Sequence, residues 1–493
     1  MRGNTAGAVA AVDLGATSGR VILGHVGPNE LRLQHVARFA NRPVGVPEGE
    51  GREGLHWDVL GLWQAIRDGL TQATRLHSGV ASIGVDSWAV DYGLLRNGRL
   101  VGLPYHYRDA RNAASVNAVH AAVPATALYE RNGLAHLPFN TIYQLAADRA
   151  AGTLALADRA LLVPDLIGRW LTGVEVTERT NASTTGLLSP KTGRWDPDLF
   201  SVLGLQESFF APLVSPGDRV GALLPSFAGS IGNGREIPVT AVGSHDTASA
   251  VVGVPLVDEH AAFISSGTWS LVGLELDAPV VTDASRAANF TNEGGAFGRV
   301  RFLKNISGLW LLSESMRTWD AASTEAVRSS DLASLLSAAA AIDNPVPIFD
   351  AADERFSPPG DMPGRIRDWC LERDVRPPLS PAETVRSILE SLAVAYAETL
   401  DEAEVLSGRQ ITTVHVVGGG SQNELLCQLT ADRTGRTVLA GPVEATAIGN
   451  VLVQARATGL VSGASSLESL RALVRATYPP IRYEPSVPRS FRH

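Results

Sequence analysis

Cysteine and lysine are the scarcest reactive residues of this 493-residue chain, with only Cys370 and Cys427 and only Lys191 and Lys304 present. Two cysteines exclude a disulfide framework and a cysteine-based zinc site, and they fit a reducing compartment where both thiols stay inert. Neither lysine follows a glycine. The Gly-Lys-Ser/Thr end of a P-loop is therefore missing, and polyphosphate would have to be bound by other donors. No Gly-x-Ser-x-Gly elbow and no His-Glu-x-x-His pair occurs, so a serine hydrolase and a zincin both lack support.

Long apolar runs are missing too. Even Ala155 to Leu171 carries Asp158, Arg159, Asp165 and Arg169 and is no membrane span. Met1-Arg2 and the small residues after them look like the start of an export signal, but Asp13 interrupts the run. The expectation is a protein that stays in the cytoplasm. A basic surplus is also lacking: 42 basic against 51 acidic residues give a net charge of −9. That balance argues against nucleic acid or anionic membrane as a partner. No obligate protein partner is evident.

What is present suits packed interiors, with 45% hydrophobic and 19% charged residues. A single core stops growing at about 250 to 300 residues, so two domains are expected. Ala8 to Val12 reads as a strand, Gly15 to Gly19 as a turn and Val21 to Leu23 as a second strand. The pattern returns half a chain later as Ala262 to Ile264, Ser265-Ser266-Gly267-Thr268, and Trp269 to Val272. Two such hairpins suggest an internal duplication. Helices are expected over Asp58 to His77, behind a capping Asp58, and after Ser380-Pro381, with Val385, Ile388, Leu392, Tyr396 and Leu400 on one face. Ile411 to Val417 then runs as a strand into Gly418-Gly419-Gly420 and a helix over Gln422 to Ala431. Strands alternating with helices in both halves imply an α/β protein with two related domains and a cleft between them. Asp343 to Pro363 reads as a surface excursion.

The first turn supplies phosphate donors: glycines that permit positive φ and close approach, the hydroxyls of Thr17 and Ser18, and the Arg20 guanidinium. Asp13 at its mouth would repel a polyphosphate unless a hard cation lay between them, which points to Mg²⁺ held through water. Thr268 on the second hairpin and Gly418 to Gly420 before a helix have a compatible purpose. Asp246 follows the strand Ile237 to Val242 and reads either as a helix-capping residue or as a general base of ordinary pKa, about 3.9.

At these residues the chain resembles the FGGY family of carbohydrate kinases. The stretches that carry the resemblance include Val12 to Arg20, Tyr107-Arg108-Asp109, Ser244 to Ala250, Ser265 to Ser270, Thr291 to Gly295, Leu303-Lys304-Asn305 and Val417 to Gly420. The resemblance implies a duplicated actin-like, ribonuclease H-like ATPase fold, with an N-terminal domain over 8–247 for sugar and phosphates and a C-terminal domain over 248–480 for nucleotide. It further implies that Ala16, Thr17, Ser18, Gly19 and Arg20 line the ATP phosphates, with Thr268, Ser313 and Gly419 at the nucleotide. His245, Asp246, Thr247, Asn305 and Ala89 would face a small ketose, Asp246 taking the proton of its 1-hydroxyl. The implied reaction is ATP-dependent phosphorylation of L-rhamnulose. Two residues depart from the family pattern: Ala89 stands where a glycine is usual, and Ser313 where glutamine is usual. Other ketoses or polyols such as L-fuculose or xylulose, and a non-enzymatic actin-like switch, are the competing readings.

Overall fold

The computed structural model describes residues 6–49, 51–232, 234–322, 332–462 and 465–486. Met1-Arg2, with its signal-like start, lies outside the described residues. The chain divides into two compact units, one comprising Met1–Val257, Glu275–Phe302 and Glu444–Pro479, the other Asp258–Leu274, Leu303–Val443 and Pro480–His493. Two segments that follow residue 257 in sequence, Glu275–Phe302 and Glu444–Pro479, thus group with the first unit. The physical reason is the helix Ala445–Thr458, which is apolar enough to be buried along Ala447 to Ala455 and finds its partners in the first unit.

The first unit is built on a six-stranded sheet. In spatial order its strands are Arg219–Ala222, Pro238–Thr240, Val80–Ser87, Gly7–Leu14, Ser18–Gly27 and Glu30–Ala40. The last three form an antiparallel meander, while Gly7–Leu14 runs parallel to Val80–Ser87 with Asp13 opposite Asp86. Covered on both faces, Gly7–Leu14 is buried from Ala8 onward and reads as a near-continuous apolar run, as central strands do. On one face lies the helix Val59–Leu76, capped by the Asp58 carboxylate accepting from the Gly61 amide at 2.9 Å. It buries Val59, Leu62, Ile66, Leu70 and Ala73, each larger side chain contributing about 1.5–3 kcal/mol of burial. On the other face lies Ala445–Thr458. Gly84 makes its approach possible: a Cβ there would sit 2.7 Å from the Asn450 and Gln454 side chains.

The second unit repeats the plan. Ala261–Ser266 pairs antiparallel with Trp269–Leu276 and parallel with Thr413–Val417, which in turn pairs parallel with Thr437–Ala440. Ile481–Tyr483 closes that edge antiparallel, as Arg219–Ala222 does in the first unit. Hairpin, parallel strand, parallel strand, antiparallel edge: the duplication inferred from two Ser/Gly/Thr turns is a duplication of whole sheets. The helix Pro381–Ser407 starts where Ser380 accepts from the Glu383 amide and buries all five of the apolar positions named above. Within Asp343 to Pro363, residues 343–353 are irregular, yet the stretch is no loose excursion, because Phe349, Ala351 and Phe356 are buried. No helix among the described residues is long and apolar enough to cross a membrane.

Candidate active site

Three neighbouring strands of the first sheet end in polar residues at their carboxyl edges, the place where open α/β sheets bind ligands. Gly7–Leu14 ends in Asp13-Leu14, Val80–Ser87 in Asp86-Ser87, and Pro238–Thr240 leads to Ser244-His245-Asp246. Backbone bonds lock them together: the Ser87 amide donates to the Ser244 carbonyl at 2.9 Å and the Trp88 amide to the Leu14 carbonyl at 3.0 Å. Glu178 fixes the third segment, accepting from the Ser244 amide at 2.9 Å and its hydroxyl at 2.8 Å.

The result is a buried acidic group with too little positive charge. Asp13, almost wholly buried, has the Arg20 Nε at 3.0 Å, and Arg20 also holds Glu444. Burial pushes the Asp13 carboxyl up to about 6 despite Arg20, and Asp246 and Glu444 add to the rise. Asp86 has no exposure and is driven well above its ordinary range by burial and then by Asp13, against the Asn450 amide that donates to it at 2.6 Å. Gln454 donates to Asn450 at 2.6 Å and so braces that contact from the returning helix. Asp246 is raised by burial, with His245 and the Thr247 hydroxyl opposing, so it is not the ordinary carboxylate expected from sequence. Its side chain is 28% accessible, and solvent moderates the rise.

A hydrated divalent cation suits this surplus of carboxylates over guanidinium. Among the described residues no three His, Cys, Asp or Glu side chains converge closely enough to hold a metal directly.

The turn from Gly15 to Ser18 closes by a bond from the Gly15 amide to the Ser18 carbonyl at 3.0 Å, leaving Ala16 and Ser18 half-buried and Thr17 exposed. Its glycines serve close approach, not positive φ: neither Gly15 nor Gly19 is left-handed, and a Cβ on Gly19 would lie 2.3 Å from the Phe39 ring. Arg20 is turned back onto Asp13 and Glu444. Asp246 opens the helix Asp246–Gly253 as its first residue, His245 being the cap, and Thr247 is buried behind it. Ala89 is half-buried and precedes Val90, whose φ of 67° is rare for a branched side chain and is held by Thr141 donating to the Val90 carbonyl at 2.6 Å. Behind it, Asp91 accepts from the Trp57 and Trp88 indoles at 2.6 and 3.0 Å and from Gln144 at 2.8 Å.

Thr268, Asn305, Ser313 and Gly419 belong to the second unit. The Thr268 carbonyl accepts from the Gly308 and Trp310 amides at 3.2 Å each and seats the helix Trp310–Ala322, on which Ser313 is exposed. Asn305 is half-buried on the strand Val300–Ser307. Gly418 is left-handed at φ 80°, with no room for a Cβ beside the Ser266 carbonyl, and Gly419 beyond it is exposed.

Several residues at this site escaped the sequence reading. Asp86 and Asn450 lie 364 positions apart. Glu293 and Arg301 meet His245 from a separate segment. The signals were that Glu293 lies in one of the stretches carrying the family resemblance and that Asp86 stands three residues before Ala89.

Duplicated sheets with acidic strand ends fit the actin-like ATPase fold. The chain belongs to the FGGY family of carbohydrate kinases: its N-terminal domain profile matches residues 8–253 and its C-terminal domain profile residues 262–458. It is 40% identical over 479 residues to a rhamnulokinase of Bacteroides thetaiotaomicron, covering 96% of this chain and 95% of that protein. It is 42% identical over 490 residues to a rhamnulokinase of Pectobacterium atrosepticum, covering 98% and 94%. The fold is that of a xylulose kinase of Lactobacillus acidophilus, at TM-score 0.76 and 16% identity over 97% of this chain and 94% of that one. A Plasmodium falciparum glycerol kinase with ADP matches at TM-score 0.73 and 15% identity, covering 97% and 94%.

Proposed function

We propose that this chain transfers the γ-phosphoryl group of ATP to the 1-hydroxyl of L-rhamnulose, in the cytoplasm, with Mg²⁺. The observation that carries the reading is identity of about 40% to rhamnulokinases along nearly the whole of both chains. The carboxylate at the head of Asp246–Gly253 supports it, because the acceptor hydroxyl needs a proton acceptor beside the acidic centre. In this reading His245, Asp246, Thr247, Ala89 and Asn305 hold the ketose, and Asp246 Oδ takes the proton of O1. Burial raises the proton affinity of Asp246, which suits it to take a proton late in the transfer. The first turn, Ala16 to Arg20, faces the phosphates, and Thr268, Ser313 and Gly419 the rest of the nucleotide. Asp13 holds the waters of the cation, which when bound supplies charge neutralisation for the phosphates. Exclusion of solvent favours the sugar hydroxyl over water as nucleophile.

Steady-state kinetics with L-rhamnulose, L-fuculose and xylulose test the substrate. The highest kcat/KM is expected for L-rhamnulose, and a higher value for either of the others would overturn the substrate while leaving the reaction class standing.

A further inference from the structure

We propose that Glu293 and Arg301 are positioning residues that set the imidazole of His245 and, through it, the sugar-binding edge beside Asp246. The inference rests on the sugar-site reading above and deepens it. Arg301 has no solvent exposure, and Glu293 and His245 are buried with it. The guanidinium lies with one terminal nitrogen 2.9 Å from the Glu293 carboxylate and the other 3.2 Å from His245 Nδ1. Its Nε and second terminal nitrogen both donate to the Gly294 carbonyl, at 3.0 and 2.9 Å. Glu293 reaches the same ring nitrogen, Nδ1, at 3.2 Å.

Two arrangements satisfy these contacts. In one, Nδ1–H donates to Glu293; in the other, Nδ1 accepts from Arg301. Both occupy the inner edge of the ring and leave Nε2, 3.5 Å from Asp246 Oδ1, as the edge turned to the site. A ring flip would put a carbon against the guanidinium and carboxylate and lose both of their contacts to the ring, so the orientation is enforced from behind. Glu178 enforces it from the backbone side by holding Ser244, and the His245 amide donates to the Thr180 hydroxyl at 3.3 Å.

Stability does not explain the arrangement. Taking an arginine and a glutamate out of water costs several kcal/mol per ion before their attraction is counted, and apolar substitutes for such pairs are often as stable. Lysine could supply the charge but not the planar fork that reaches carboxylate, imidazole and carbonyl together. The geometry points to pre-organisation of the site: a misplacement of about 1 Å in a positioned group can cost on the order of 100-fold in rate.

The test is a double-mutant cycle on the full-length enzyme with Glu293→Gln and His245→Gln, and a parallel Arg301→Lys variant that keeps the buried charge. Glu293→Gln is expected to lower kcat/KM for L-rhamnulose roughly 10- to 100-fold, with the sugar KM raised. The KM for ATP should stay within about twofold, and the double variant should be no worse than His245→Gln alone within about twofold. Arg301→Lys should show the same split between sugar and nucleotide, which keeps the test alive if Glu293→Gln folds poorly. The His245 ring signals, read by ¹⁵N NMR of histidine-labelled protein, should shift in Glu293→Gln; that readout is independent of turnover. An unchanged sugar KM, multiplicative effects in the cycle, or an unmoved His245 signal would overturn the proposal. Wild-type enzyme inactive on L-rhamnulose would overturn the substrate reading alone, since the NMR comparison would still judge the positioning role.

Discussion

Replacing Asp246 by asparagine separates the chemistry of that side chain from its place in the structure. Asparagine preserves the volume at the first position of Asp246–Gly253 and can still take the Thr247 hydroxyl, which lies 3.1 Å from Asp246 Oδ1. What it removes is a proton acceptor and one negative charge. A positioned general base contributes about 10²- to 10⁴-fold. At 1.36 kcal/mol per decade that is about 3 to 5.5 kcal/mol of barrier. Phosphoryl transfer rests mainly on positioning, so the lower half of that range is expected. The charge has a second consequence. Asp246 is one of the groups that raise Asp13 and Asp86, so its removal relieves repulsion in the unliganded protein. Three measurements therefore belong together: kcat by a coupled ADP-release assay, Mg-ATP affinity by calorimetry, and urea unfolding at pH 8. The expected result is a kcat reduced by about 100-fold or more, nucleotide affinity largely kept, and an unfolding midpoint equal to wild type or higher. Turnover within about tenfold of wild type would remove Asp246 from the proton-accepting role. A lower midpoint would refute the repulsion argument.

Other perturbations test other parts of the account. Burial holds Asp91 up to about 7, so the folded state takes its proton more readily than the unfolded chain. Its contribution to stability is full below about pH 4 and declines as pH rises to about 7. Asp91→Asn should therefore gain on wild type by up to about 4 kcal/mol across that window, as urea unfolding at pH 4, 5.5 and 7.5 would show; a pH-independent difference would contradict it. Gly420→Ala places a methyl 2.0 Å from the buried Ser266 hydroxyl and should cost about 1 to 3 kcal/mol by denaturant unfolding. Gly419→Ala meets nothing within 4 Å and should leave stability unchanged, any effect appearing in the KM for ATP. Ala89→Gly should shift the ratio of kcat/KM between ketoses by no more than the equivalent of about 1 to 3 kcal/mol without abolishing turnover.

Local signals in the sequence reached as far as local physics does. The Asp58 and Ser380 caps, the two Ser/Gly/Thr turns and the glycine run between a strand and a helix are each decided within a few residues, and each lies where the pattern put it. Their chemistry was harder to read. Glycines of the first turn suggested positive φ, whereas Gly19 is small because Phe39 packs over it. Asp246 seemed an ordinary carboxylate because burial and neighbouring charge are tertiary properties. The contacts that organise the acidic centre span the chain: Asn450 reaches Asp86 only because a late helix returns to the first sheet, and Arg301 reaches His245 from 56 positions away. No window of sequence contains both partners.

The most direct measurement is the identity of the product. Wild-type protein incubated with Mg-ATP and ¹³C-labelled L-rhamnulose should release ADP and a ketose phosphate whose C1 resonance is split by phosphorus. An unsplit C1 resonance with phosphorus coupling centred on another position, or inorganic phosphate released with the ketose unchanged, would contradict the assignment of Asp246 as the base that frees the 1-hydroxyl.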